Sequence, residues 1–110
     1  MTDQPALTVA SQARAIHALA ILADRFATLP STSFTVGTVC GPDGIEEGIH
    51  IDLHTCAADF EAWRAALAID PGGIEYSELS RCHSLRAYTA YEGVPVQLTG
   101  YLPYPSVAAA

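Results

Sequence analysis

The chain contains no lysine, and its five basic residues are all arginines: Arg14, Arg25, Arg64, Arg81 and Arg86. Twelve carboxylates outweigh them, giving a formal net charge of -7 and a pI near 4.7. So few cations cannot displace the counterions of a phosphate backbone, which argues against direct nucleic-acid binding. The carboxylates are scattered, with Glu46-Glu47 the only adjacent pair, so the acidity reads as an aid to solubility rather than as imitation of a nucleic acid.

Long apolar runs are missing too. The longest, Ala18 to Ala23, falls far short of the roughly 20 residues needed to cross a bilayer, and no membrane association is expected. Thr2-Asp3-Gln4 lacks the basic start of a secretory signal, and Cys40, Cys56 and Cys82 are an odd number, so a cytoplasmic location without a disulfide framework is expected. No GxGxxG, P-loop, GxSxG or HExxH pattern occurs, so phosphate cradles, nucleophile elbows and zincin helices lack their signatures.

What is present fits one domain over residues 1-110, with residues 1-7 and 103-110 expected to fray. Half of the residues are hydrophobic, yet 19 of the 110 are alanine, which predicts a thin core and a homodimer that compensates for it. The strand Val94 to Leu102 is the expected open edge for that pairing.

Periodicity gives the order α-ββ-α-βββ. A first helix is predicted from Val9 to Thr28, with Val9, Ala13, Ile16, Leu19, Ala20, Ala23, Phe26 and Ala27 on its apolar face and Leu29-Pro30 as its stop. A second begins at Thr55 as N-cap, carries the stripe Phe60, Trp63, Leu67 and stops at Asp70-Pro71-Gly72-Gly73.

Gly41-Pro42-Asp43-Gly44 is turn chemistry between two alternating runs. Pairing Cys40 with Ile45 brings Val36 to Ile49 and Phe34 to Ile51, and leaves Ser33, Thr35, His50, Asp52 and His54 on the other face. Glu92-Gly93 makes a second, two-residue hairpin between Ser84 to Tyr91 and Val94 to Leu102. Pairing Tyr91 with Val94 leaves Arg86, Tyr88, Gln97, Thr99 and Tyr101 on one face. With a weaker strand from Ile74 to Leu79, these elements predict an α+β fold in which an antiparallel sheet carries both helices on one face.

Three constellations could carry chemistry. His50, Asp52 and His54 alternate along one strand, all are metal-ligand types, and they would need a fourth ligand such as Cys40 or His83. Cys82 beside His83, or Cys40 with His50, would have to form a thiol-imidazole pair oriented by a third group. Glu46 and Glu47 point to opposite faces of a strand and cannot flank one bond, which disfavours glycosidase-like chemistry.

The stretch Asp59-Phe60-Glu61-Ala62-Trp63-Arg64-Ala65-Ala66-Leu67, with Gly93-Val94-Pro95-Val96-Gln97-Leu98-Thr99-Gly100-Tyr101, resembles small acidic proteins of unassigned function from actinobacteria and their phages or mobile elements. That resemblance implies no activity for particular positions. The sequence therefore points to a non-enzymatic binding or regulatory protein, without cofactor, that meets a protein partner or its own copy through the helix-free face of its sheet. Arg86, Tyr88, Gln97, Tyr101, His50 and Asp52 are its binding residues. The alternative is a metal-binding protein or metal-dependent hydrolase built on His50, Asp52 and His54.

Overall fold

The computed structural model describes residues 8-41, 44-54 and 56-104. The elements run α1 (Val9–Arg25), β1 (Ser33–Gly41), β2 (Gly44–Leu53), α2 (Ala57–Ala66), a 3-10 turn (Pro71–Gly73), β3 (Glu75–Glu78), β4 (Cys82–Tyr91) and β5 (Val94–Pro103). The α+β class and the order of elements are those the periodicity predicts.

Both hairpin registers form as expected from their apolar alternation. Cys40 pairs with Ile45, Val36 with Ile49 and Phe34 with Ile51; Tyr91 pairs with Val94, Thr89 with Val96 and Ala87 with Leu98. In the second hairpin Glu92 and Gly93 both take positive φ (51° and 75°), as a primed two-residue turn demands. Glycine enters that region freely, whereas Glu92 does so at a conformational cost.

The sheet is mixed rather than purely antiparallel. Its order is β1-β2-β5-β4-β3, and β5 lies parallel to β2, with Ile49 beside Val96 and Ile51 beside Leu98. After β2 the chain crosses over through α2, so the last strand arrives in the direction of β2 and inserts beside it. This overturns the expected open edge at Val94 to Leu102: β5 is the central strand, and Val94, Val96, Leu98, Thr99 and Gly100 are buried. Pro103 also belongs to β5, opposite Cys82, and the Tyr104 hydroxyl donates to the Leu79 carbonyl at 2.5 Å. Residue 103, from which fraying is expected, is thus the last position of a paired strand; residues 1-7 and 105-110 lie outside the described part.

The core fills the space between the helices and one face of the sheet. Ile49, Ile51, Leu53, Val96, Leu98 and Ala87 meet Ala15, Ala18, Leu22, Phe60 and Trp63 there. Trp63 is 2% exposed, and its indole Nε1 donates to the Pro30 carbonyl at 2.9 Å. Its ring meets Phe26 and Phe34 edge-on at centroid distances of 6.1 and 5.9 Å, the arrangement an aromatic quadrupole favours.

Of the apolar face expected for α1, Leu19 and Phe26 pack half-buried against the core, and the rest is turned away from the sheet. Val9 is 77% and Ile16 52% exposed, with Ala13, Ala20 and Ala23 also outward, while Ala15, Ala18 and Leu22 are buried. Two stripes of helical spacing compete on this helix. The sheet takes the one in which Ala15 and Ala18 let the backbone approach closely beside Leu22, and Val9, Ile16 and Ile21 are left outside. The helix also ends three residues early: Phe26 leaves helical geometry at φ -106°, ψ 33°.

α2 begins after Cys56 as N-cap, and the Thr55 expected in that role lies outside the described residues. Its end was hidden in sequence. The Ile69 amide donates to the Arg64 carbonyl and the Ala68 amide to that of Ala65, a Schellman cap with Ala68 in the left-handed region at φ 58°. Buried Ile69 closes the cap against the core.

Two stability predictions follow from these contacts. Trp63→Ala should lose about 3-5 kcal/mol through lost burial and a residual cavity, and a melting temperature near that of wild type would contradict the burial described. Ala68→Gly should gain about 1 kcal/mol by relieving the left-handed alanine. A denaturant midpoint that falls instead would place the strain elsewhere.

Candidate functional site

The helix-free face is assembled from alternate residues of the strands, and pairing aligns them in rows. Thr35, His50, Gln97 and Tyr88 form one row across β1, β2, β5 and β4. Ser33, Asp52, Thr99, Arg86 and Glu75 form the next, reaching β3. Tyr101, Ser84 and Ser77 continue a third, and the exposed His54 ring lies stacked on Tyr101 at 4.9 Å and 9°.

All six residues expected to bind, Arg86, Tyr88, Gln97, Tyr101, His50 and Asp52, thus come together on one surface, and each is half-buried. The parallel seam between β2 and β5 merges what the sequence offers as two separate hairpin faces. At its middle Thr99 is fully buried, although no helix covers it, and Ser84 is buried as well. The longer side chains around these two small hydroxyls therefore exclude water from the centre, and Gln97 Nε2 donates to Thr99 Oγ1 at 3.3 Å. Thr99 was legible in sequence as a member of this face, but its burial and that of Ser84 were not, because alternation marks the face of a residue and not what leans over it.

Arg86 is the only arginine within the strands. Its Nε is buried and finds no acceptor, and among the described residues it makes no ion pair, although Glu75 stands opposite in register. A buried guanidinium donor left unpaired costs free energy that an incoming acceptor would recover.

The other constellations do not assemble. Among the described residues no group of three or more His, Cys, Asp and Glu gathers closely enough to hold a metal ion. His50, Asp52 and His54 follow one another along the strand direction, and the His50 Nε2 is already 2.7 Å from the Thr38 carbonyl. Cys40 lies on the helix side, opposite Ile45, whereas His50 lies on the free face, so the two cannot meet across the hairpin. Cys82 and His83 likewise point to opposite faces as strand neighbours, and all three cysteines are free.

His83 belongs instead to an aromatic cluster that sequence reasoning did not find. Its Nδ1 meets the Tyr76 hydroxyl, and its ring meets Tyr104 edge-on at 4.1 Å. The pieces are far apart in sequence, and only the β3-β4 pairing and the end of β5 unite them. Desolvation, reinforced by Glu78, raises both phenols above the ordinary tyrosine value of 10.0.

No protein-family model, curated protein or solved structure matches this chain. Among the described residues no helix is long and apolar enough to cross a membrane.

The raised phenols set an alkaline limit. The unfolded chain gives up these protons first, so the contribution to stability is complete below the ordinary tyrosine range and is lost as pH rises through the folded values. Absorbance titration of phenolate should show two tyrosines titrating late, one fewer in Tyr76→Phe. Uniform titration at the ordinary value would contradict the cluster.

Proposed function

We propose that this chain is a small acidic binding protein without catalysis of its own, and that it holds a protein partner against the helix-free face of its sheet. The observation that carries the reading is the half-buried arrangement around Thr99, in which Arg86 presents a buried, unpaired Nε beside Tyr88, Gln97 and Tyr101. A solvated sheet face has no need to exclude water from its middle or to leave a guanidinium donor waiting. Tyrosines supply large contact area with few rotatable bonds, and arginine supplies a planar set of donors; both are enriched where partners dock.

The chemistry of the rows describes the partner. Arg86 calls for a carboxylate or a backbone carbonyl, Tyr88 and Tyr101 for apolar or planar groups, and Asp52 with His50 for donors at the β2 side. An extended loop with an acidic or carbonyl-rich tip fits this set. Phosphate chains fit it poorly, because a single arginine faces several carboxylates across a chain of net charge -7.

Replacing Arg86 and Tyr88 together by alanine should leave the far-ultraviolet circular dichroism unchanged and abolish capture of partners from the native host. Capture equal to that of wild type by a folded double variant would move the binding surface elsewhere.

A further inference from the structure

The aromatic cluster at His83 lies at the corner where β3, β4 and the end of β5 meet. Tyr76 and Glu78 alternate along β3, His83 stands opposite Glu78 on β4, and Tyr104 follows the last residue of β5. Tyr76 is paired with Leu85 and His83 with Leu102, so register puts all four on the helix side of the sheet. The corner is nevertheless accessible. Tyr76 is 54% and Tyr104 37% exposed, Glu78 is exposed too, and His83 is half-buried.

Three donor atoms converge there. The Tyr76 hydroxyl meets His83 Nδ1, and the Glu78 carboxylate acts on the same hydroxyl through its charge and a hydrogen bond. One phenolic proton thus lies between two acceptors. Among the described residues Glu78 makes no ion pair. Tyr104 stands outside this set. Its hydroxyl is committed to the Leu79 carbonyl at 2.5 Å, while its ring meets the imidazole edge-on at 4.1 Å and holds it in place. The trio differs from the groupings of histidine, cysteine and carboxylate considered above because one of its members is a phenol.

We propose that this corner binds a ferric ion through Tyr76 Oη, His83 Nδ1 and the Glu78 carboxylate, with Tyr104 as the residue that positions the imidazole. Two oxygens and one imidazole nitrogen, without thiolate, form a hard donor set that suits iron better than the softer metals. Calcium and magnesium favour carboxylates, carbonyls and water, and are too weakly acidic to take the proton from a phenol. A trivalent ion does so. The Tyr76 O–H bond breaks, the phenolate oxygen gives its electron pair to the metal, and the proton passes to water. The iron stays ferric throughout, so no reductant or oxidant is needed. In the metal-free chain desolvation, reinforced by Glu78, keeps the proton on Tyr76, and the charge of the ion reverses that preference. Three protein ligands leave the other positions of the ion to water or a chelator. The corner lies on the side of the sheet opposite the partner face, so binding here is independent of what that face holds.

The test is titration of the full chain with ferric nitrilotriacetate, read as the visible phenolate-to-iron charge-transfer band. Wild type should develop the band and saturate at one ion per chain. Tyr76→Phe removes a single oxygen and should abolish the band, although Tyr88, Tyr91, Tyr101 and Tyr104 remain. Glu78→Gln and His83→Ala should each weaken binding about tenfold or more, with the circular dichroism of wild type. Tyr104→Ala should weaken it as well, and Tyr104→Phe, which keeps the ring, should restore it. Should His83→Ala unfold the chain, Tyr76→Phe and Glu78→Gln at their exposed positions decide. A wild type without the band overturns the proposal, as does a band that survives Tyr76→Phe or an affinity that Glu78→Gln leaves unchanged.

Discussion

The fold depends on the parallel seam between β2 and β5. Without it the chain is two hairpins with a helix beside each, and neither hairpin is stable alone. With it, Ile49 and Ile51 come beside Val96 and Leu98 to make the floor of the core, and β5 is shielded on both faces. The seam also fixes parity. A slip of one residue would turn Gln97 and Thr99 toward the helices and Val96 and Leu98 toward solvent, at the cost of most of the buried branched side chains. The arrangement of the candidate surface is therefore enforced by the core behind it.

Alanine shapes the rest. Ala15 and Ala18 bring α1 close to the sheet over a floor of larger strand residues, which keeps a thin core tightly packed. Where that close approach ends, rings take over: Phe34, Trp63, Phe26 and Tyr91 touch in succession at centroid distances of 5.9 to 6.1 Å. Trp63 stands in the middle of that chain and also ties α2 to the segment after α1 through Pro30. The helix layer is thus held by a few large contacts rather than by many moderate ones.

Polar groups on the two faces have different fates. On the helix side, Glu47 Oε2 and the Tyr91 hydroxyl are buried without partners, at positions governed by packing of their neighbours. On the free face, the Arg86 Nε is in the same condition but beside half-buried tyrosines and amides that face outward. The second setting lies on the face that no helix covers, and the first lies on the helix side of the sheet. That difference in setting is what the binding role proposed for the free face draws on.

The sequence by itself determined whatever depends on neighbours a few residues apart. Both hairpin registers, the membership of each sheet face, the Phe60-Trp63 stripe and the presence of two helices follow from turn residues and period, because these are local constraints. The order of strands did not follow, since antiparallel hairpins of good register can be joined in several ways and alternation is blind to which one is used. Nor did the face of α1, where two apolar stripes satisfy the same helical period and the close approach of alanine to the sheet chose between them. The candidate surface shows both sides of this division. Its residues were legible as two outward sets, but that they form one surface, with Thr99 dry at its centre, was decided by long-range pairing of β5 with β2.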